Sequence, residues 1–493
     1  MVTYSDDQKI AIDLINKFIS QNENKKFYLF GYPGTGKTFL AASMVKKYID
    51  LNDVNEINIC SPTHKALNVI ETYIRNIIGE DYFNSSECKI HFSTIHRKLS
   101  LKPYIVTENG SLSFKSSNKS VKITNITIIF IDECSMISSS MATNIDGYLT
   151  NDNIKIIYMG DDLQLPPVEE AHSVIFDEIS PDYIYHVNMK KIIRTDSTHI
   201  QNACMAIRNW DKITSIYKIL KPIHIAATDK SFRLIRLKTP NNEISMRWIN
   251  HMIFEIENNK NPIILTWDNA TANTYNNIIR KIIHKKRKLA PYEIGDHIMF
   301  NDYYSSSTKE MVFYTSDMAK ITNIQYKNKQ LCKWNKFLIK PSKKPIDKKF
   351  NTLLLKLNAL NNKYTVNILN VNKKSKMGAY DISVIDDINV IVNTHDFSDL
   401  KNTIEYQIKL FYKRYRSKSL VDKLWKIYRD HYITPYANIT FGYAITTYKS
   451  QGSTYDTVYI HMENLATIRN NDDLQKALCT SFGRARYELL LLV

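Results

Sequence analysis

The sequence predicts an α/β chain of at least two domains built on parallel sheets, and three features carry that prediction. Short apolar runs rich in Ile, Tyr and Phe, at 27–30, 57–60, 126–131 and 154–159, alternate with stretches of helical periodicity. Each run ends in a short polar or glycine-rich loop, and parallel sheets gather their functional groups at the carboxyl ends of their strands. With 493 residues, 44% of them hydrophobic, the chain exceeds what a single core organises. The formal net charge of +17 points to a polyanionic partner, nucleic acid first. No stretch approaches the roughly 18 apolar residues of a membrane-spanning helix. The opening Met-Val-Thr-Tyr-Ser-Asp-Asp-Gln lacks a signal core, so an intracellular protein without a membrane partner is expected. Six cysteines (Cys60, Cys88, Cys134, Cys204, Cys332, Cys479) form no C-x-x-C pair, which argues for reduced thiols rather than a zinc site or disulfide framework.

The first expected element is a helix capped by Ser5 with Ile10, Ala11, Leu14, Ile15 and Phe18 on one face. Gln8 in its first turn is either a solvated side chain or an amide able to read an adenine edge. Phe27 to Phe30 then reads as a buried strand and Phe39 to Val45 as a helix. Between them Gly31 to Thr38 (Gly-Tyr-Pro-Gly-Thr-Gly-Lys-Thr) meets every position of G-x-x-x-x-G-K-[ST]. Gly31, Gly34 and Gly36, with Pro33 and Thr35 between them, let the backbone N–H groups turn inward at a helix N-terminus. Lys37 is expected to reach the β- and γ-phosphates and Thr38 to hold Mg²⁺, which makes ATP with Mg²⁺ the expected cofactor.

Ile57 to Cys60 reads as the next strand and leads into Pro62, Thr63, His64 and Lys65. These can donate to phosphate oxygens or, taken alone, cap the following helix. A comparable segment, His91 to Arg97, carries Thr94 and His96. Tyr104 to Phe114 has two β-prone runs around Asn109-Gly110, a hairpin signal that by itself could be decoration. The β-branched run Ile126 to Ile131 suits a central parallel strand and delivers Asp132-Glu133 to the catalytic edge. Asp132 would hold Mg²⁺, and Glu133 would orient and deprotonate the attacking water. After the strand Ile154 to Met159, the loop Gly160 to Val168 offers Gln164 as a γ-phosphate sensor, stiffened by Pro166 and Pro167.

The phosphate loop, Asp132-Glu133 and Gly-Asp-Asp-Leu-Gln-Leu-Pro-Pro resemble, in order and spacing, the superfamily 1 helicases, most closely the RecD and Dda branch. The resemblance implies two RecA-like domains and a 5′ to 3′ ATP-dependent DNA helicase serving replication, recombination or repair. It implies that Pro62 to Ala66 and Thr94 to His96 grip single-stranded DNA, that Gln8 reads adenine, and that the hairpin is a strand-separating pin. Arg194, in Lys190 to Thr195, falls where the family has an arginine reaching the γ-phosphate. Pro262 to Asn269 and Thr274 to Arg280 resemble the strand, loop and helix of the second domain's strand contact, and Pro291 to Asp296 the lead-in to a small β-barrel. Ile439 to Ser453 resembles a strand-contacting motif with Thr446, Lys449, Ser450 and Gln451, and with Gly452 near the nucleotide. Tyr448 stands where the family has histidine. In Leu478 to Arg486, Gly483 replaces threonine, at a cost in local rigidity, and Arg484 is a second arginine finger.

The expected map is a first RecA-like domain at 1–90 and 123–190, a hairpin insertion at 91–122, a second RecA-like domain at 191–300 and 435–493, and a basic insert at 301–434 with a small β-barrel plus extension. Leu489 to Val493 should complete the second sheet. The insert's clusters (Lys343-Lys344, Lys348-Lys349, Lys373-Lys374 with Lys376, and Lys413-Arg414-Tyr415-Arg416 with Tyr412, Trp425 and Tyr428) suit either a phosphate-tracking surface with stacking rings or solvated lysine-rich loops. Expected partners are single-stranded DNA and duplex junctions, with single-strand-binding or replisome proteins as candidates. The protein is expected to be a monomer, in a cytoplasm or a viral replication compartment. An RNA helicase or translocase, and a nucleotide-switched loader that does not unwind, are the alternatives.

Overall fold

The computed structural model describes residues 4–21, 23–51, 54, 56–79, 89–116, 127–149, 153–167, 169–180, 182–239, 242–305, 312–340, 344–360, 363–377, 380–391 and 394–493. Cys88, Ile126, Val168 and Lys343 from the expectations above lie outside these, as do the side chains of Lys373, Lys374 and Lys376.

The first sheet contains β1 (Lys26–Gly31), β2 (Glu56–Ser61), β3 (Lys89–Thr94), β6 (Thr127–Ile131), β7 (Ile154–Gly160) and β8 (His186–Met189), in the order β3-β2-β6-β7-β1-β8 and parallel throughout. Every residue of β6 and β7 is buried, which is why these segments read as unbroken apolar runs. Helices α1 (Asp6–Ser20), α2 (Lys37–Leu51) and α3 (His64–Ile78) cover one face over a core including Phe18, Phe27, Leu40, Ile70 and Phe130. The helix Ser139–Tyr148 covers the other, over Ile129, Ile145 and Tyr158. Strand β3 was expected only as a polar segment. It is an edge strand with alternating exposure, so its sequence carries no continuous apolar signal.

A hairpin of β4 (Leu101–Ile105) and β5 (Leu112–Ser116) follows β3. Its turn is closed by the Val106 N–H to the Ser111 carbonyl, 2.8 Å, and by Asn109 Oδ1, which accepts from the Ser111 N–H at 2.9 Å. Gly110 has φ +75°, the left-handed conformation that the Asn-Gly pair supplies.

The second parallel sheet contains β9 (Phe232–Ile235), β10 (Pro262–Thr266), β18 (Ala444–Thr446), β19 (Tyr455–His461) and β20 (Ala485–Leu492), in the order β18-β10-β19-β20-β9. Buried Asn276 ties its edge: Nδ2 donates to the Phe441 and Ala444 carbonyls, and Oδ1 accepts from the Tyr443 and Ala444 N–H groups. The chain's end therefore sits inside this sheet, between β19 and β9.

The insert contains β11 (His297–Phe300), the short pair β12 (Tyr304–Ser305) and β13 (Val312–Phe313), then β14 (Met318–Gln330), β15 (Lys363–Met377), β16 (Tyr380–Ile391) and β17 (Ile439–Phe441). Five of these form an antiparallel sheet, β16-β15-β14-β11-β17, so the sheet extends beyond 301–434 at both ends. It is open rather than a closed barrel among the described residues, although the Ala437 N–H reaches the Asn389 carbonyl at 2.8 Å. The buried pair Arg280–Asp296, 2.8 Å, anchors its lead-in, with the guanidinium 3.7 Å from the Phe441 ring centre. The expected extension is a helical lobe, Pro345–Leu360, Thr394–Tyr415 and Lys418–Tyr428, around Trp334, Phe350, Trp425 and Tyr432. No described helix is long and apolar enough to cross a membrane.

Candidate functional site

The carboxyl edges of β1, β2, β6 and β7 lie side by side, because the strands are adjacent, parallel and in register. Backbone bonding carries that register to the edge, where the Asp132 N–H donates to the Cys60 carbonyl at 2.9 Å. In the phosphate loop Gly34 and Gly36 have φ of +80° and +86°, conformations open to glycine and strained for other residues. Lys37 Nζ donates to the Gly31 and Tyr32 carbonyls at 2.5 and 3.1 Å, so the ammonium is held at the loop's mouth. Burial lowers its pKa, while Asp161, Asp132 and Glu133 oppose that shift.

Thr38 Oγ1 lies 3.4 Å from Asp132 Oδ2. Burial, with the adjacent Glu133 carboxylate, pushes the Asp132 pKa up to about 6. A hydroxyl beside a half-buried carboxylate, with the Lys37 ammonium as the nearby cation, is a hard-oxygen donor set, which suits Mg²⁺. Glu133 adopts φ +55°, and its N–H donates to Asp132 Oδ1 at 2.9 Å, turning the chain from β6 into the short 3₁₀ turn Cys134–Met136.

Gln8 lies beside the phosphate loop, where its amide also serves locally: Oε1 accepts from the Ser5 N–H (3.0 Å) in a capping box, and Nε2 donates to the Thr35 carbonyl (3.4 Å). Gln8 is buried there, with one Nε2 hydrogen and one Oε1 lone pair beyond these bonds.

The second domain reaches the same loop. Ile193 and Arg194 N–H groups donate to the Gly34 carbonyl at 2.7 and 3.0 Å, and Arg194 Nη1 donates to the Gly483 carbonyl at 2.7 Å. Arg194 keeps surface exposure yet is crowded, and enclosure together with Arg484 lowers its pKa to about 10, so it stays charged at neutral pH. A Cβ on Gly483 would lie 2.6 Å from Pro33 Cβ. The glycine in place of threonine is thus a packing requirement against the phosphate loop rather than a loss of rigidity.

Arg484 is buried and spends its donors on the Thr480 carbonyl (3.0 Å), the Ser453 carbonyl (3.3 Å) and Gln164 Oε1 (3.1 Å). In this arrangement it acts on Gln164 and does not present a free guanidinium. Gly452, expected near the nucleotide, abuts the start of α3 instead, where a Cβ would meet Ala66 atoms at 3.3–3.5 Å.

The expected strand-gripping residues divide into two groups. Thr63 and Thr94 cap helices through their hydroxyls, accepting from Ala66 and Arg97 N–H groups, with Pro62 and Lys65 part-exposed beside Thr63. His64 stacks on Tyr314 of the insert (ring centres 3.9 Å apart, 19°), and His96 packs on Phe114 of the hairpin at 4.5 Å. Lys449 Nζ donates to Asn301 Oδ1 at 2.8 Å. Thr446, Ser450 and Gln451 are buried, contrary to a surface role: Ser450 Oγ donates to the Thr447 carbonyl and Gln451 Nε2 to the Leu165 carbonyl of the first domain. The loop turns inward because it closes the interface between the domains.

Three contributors hold roles that the sequence does not announce, among them Trp425, expected as a stacking ring of the insert and found buried. Arg208, at the end of the helix Thr198–Arg208, pairs with buried Asp161 (Nη1 to Oδ2 3.0 Å, Nη2 to Oδ1 2.5 Å) and lies 3.8 Å from the Tyr32 ring centre. No motif marks it. Asp161 lies in the loop after β7, where the sequence points first to the Gln164 amide. Trp425 receives the hairpin tip: its Nε1 donates to the Thr107 carbonyl at 3.0 Å, and Thr107 Oγ1 donates to Asp422 at 2.7 Å.

An AAA domain family matches residues 16–170. The chain is 41% identical over 491 residues, 99% of each protein, to the uncharacterized protein R530 of Acanthamoeba polyphaga mimivirus. It is 25% identical over 198 residues to the uncharacterized protein MJ1519 of Methanocaldococcus jannaschii, a match covering 38% of this chain and 16% of that protein. Among solved structures, similarity extends to a Bacteroides Pif1 helicase in complex with ADP-AlF3 and ssDNA (TM-score 0.47, 13% identity, all of this chain and 92% of that one). It extends also to the Candida albicans Pif1 helicase (TM-score 0.43, 13% identity, all of this chain and 95% of that one).

Proposed function

We propose that the chain, which belongs to one family with the mimivirus protein R530, is the superfamily 1 helicase that its motifs resemble, and that it hydrolyses ATP to move along single-stranded DNA in the 5′ to 3′ direction and part duplexes. The observation that carries this reading is the set of cross-domain bonds converging on the carboxyl edge of the first sheet: the Arg194 N–H to the Gly34 carbonyl, Arg484 to Gln164 and Arg208 to Asp161. Phosphoryl transfer needs charge neutralisation and positioning, and an arginine supplied from outside the loop's own domain is worth on the order of 10³ to 10⁵ in rate. Lys37 takes the phosphate charge, Glu133 accepts the proton of the attacking water, and Gln164 aligns that water under the hold of Arg484. Thr38 and Asp132 would hold Mg²⁺, which would supply neutralisation of the phosphate charge. Groups that stabilise the reaction also join the two sheets, so each turnover can work the interface between opening and closing.

One chain supplies both halves of the site, so a monomer suffices. The DNA preference and polarity rest on resemblance, and replication, recombination or repair is the setting they suggest. The test is ATP hydrolysis with single-stranded DNA, single-stranded RNA and duplex, followed by unwinding of duplexes tailed at either end. Stimulation by single-stranded DNA and unwinding from a 5′ tail are expected. Stimulation by RNA alone would make it an RNA motor, and stimulation without unwinding from either tail would reduce it to a translocase or loader.

A further inference from the structure

We propose that Tyr314, with Tyr303 beside it, is a base-stacking ledge through which the insert forms a third wall of the strand channel, and that the Tyr314–His64 stack is the closed state of that wall. The inference rests on the strand-motor reading above. His64 and Lys449 are part-exposed members of two of the expected gripping segments, one from each parallel sheet, and the insert covers both: Tyr314 lies on His64, and Asn301 accepts from Lys449. A surface that touches the strand-facing residues of both domains lies on the path between them.

Tyr314 is fixed to the second domain. Its N–H donates to Asp317 Oδ2 at 2.8 Å, and the same turn is tied to β11 through the Ser316 N–H to the Phe300 carbonyl (2.7 Å) and the Phe300 N–H to the Asp317 carbonyl (3.0 Å). β11 pairs with β17, which leads directly into β18 of the second sheet. His64 begins α3 of the first domain. The stack is therefore a contact between the two halves of the motor, and it must change whenever they separate.

At 3.9 Å the rings leave no room for a base between them. A base must either part them to about 7 Å, two stacking distances, or take the place of His64 on the tyrosine. Tyr303, 61% exposed and 5.9 Å from Tyr314, extends the aromatic surface toward solvent. The edge carries both signs: Arg97 and Lys449 lie along it, with Asp317, whose Oδ2 accepts from the Tyr314 N–H, Asp302, which accepts from Asn438 Nδ2, and Glu71, which is paired with Arg75. Rings on such an edge fit a single strand of either sugar, since every base offers a π-face.

The test uses the full chain and fluorescently labelled single strands of DNA and of RNA, without nucleotide. Tyr314→Ala should weaken binding by roughly 5- to 150-fold, the range for loss of one base–aromatic stack. Tyr314→Phe should bind like the parent, and Tyr303→Ala should show a smaller loss. Independently of any variant, irradiating the parent protein on a strand carrying one 5-iodouracil at successive positions should place an adduct on Tyr314 or Tyr303, located by mass spectrometry. Parental affinity in Tyr314→Ala, or adducts that never fall on either ring, would overturn the ledge while leaving the motor reading intact. A parent protein that binds neither strand would overturn both.

Discussion

Substituting Gly110 tests whether the hairpin must be braced to split a duplex. At φ +75° an alanine costs about 1–2 kcal/mol. Its Cβ would also lie 2.6–2.7 Å from Cη2, Cζ3 and Cε3 of buried Trp425, about 1 Å inside ordinary contact. The tryptophan is buried in the core of the helical lobe, so the tip must lift. Lifting breaks the Trp425–Thr107 bond, worth about 0.5–1.5 kcal/mol, and the charge-assisted Thr107–Asp422 bond, worth about 1.5–3 kcal/mol. With the backbone cost, Gly110→Ala replaces the docked tip by a free one at a total loss of about 3–6.5 kcal/mol relative to the parent. None of the residues at the phosphate loop is touched. Unwinding of a tailed duplex should fall at least tenfold, and ATP hydrolysis stimulated by single strands should stay within twofold of parental. Hydrogen exchange should rise in 101–116 and 418–428, reporting the release itself. If exchange rises and the duplex still opens at the parental rate, bracing by the insert plays no part in strand separation.

Lys37→Ala and Glu133→Gln should both abolish hydrolysis, but only the first should lose affinity for a fluorescent ATP analogue, because Glu133 acts on water rather than on the phosphates. Arg208→Ala leaves Asp161 buried without its partner, a loss of roughly 3–5 kcal/mol that differential scanning calorimetry should register as a lower Tm. Asp132, with a folded pKa raised from 3.8 to about 6, binds more protons folded than unfolded between those values, so its ionisation costs stability as pH rises through that window and the full cost is present above about pH 6. Asp132→Asn should therefore gain stability over the parent at pH 7 that it does not show at pH 4. The apparent affinity of the parent for Mg²⁺ should weaken as pH drops below about 6, where protons compete for the Asp132 carboxylate.

The features legible in the sequence are those written within a few residues or within one period. The phosphate loop is a contiguous pattern, Asp132-Glu133 follows a run whose continuous apolarity reports burial on both faces, and Asn109-Gly110 announces its turn because few other residues adopt that backbone. The Ser5 cap was likewise readable. Strand β3 was not, since an edge strand needs no apolar run, and the insert's open sheet was not, because pairing between distant strands leaves only weak alternation behind.

What the sequence by itself determined about this protein is a set of local chemical groups and the strands and helices that carry them to one sheet edge. Tertiary structure alone decided what those groups face: Arg484 meets Gln164 across 320 residues, Thr107 meets Asp422 across 315, and Arg208 meets Asp161 across 47. It also turned Gln451 inward, put Gly483 where only a hydrogen fits against Pro33, and laid Tyr314 on His64. The reason is physical. Hydrogen-bonding and burial periods constrain neighbours three or four residues apart in a helix and two apart in a strand, whereas a contact between domains is set by how two finished surfaces pack, and packing leaves no periodic trace in either segment.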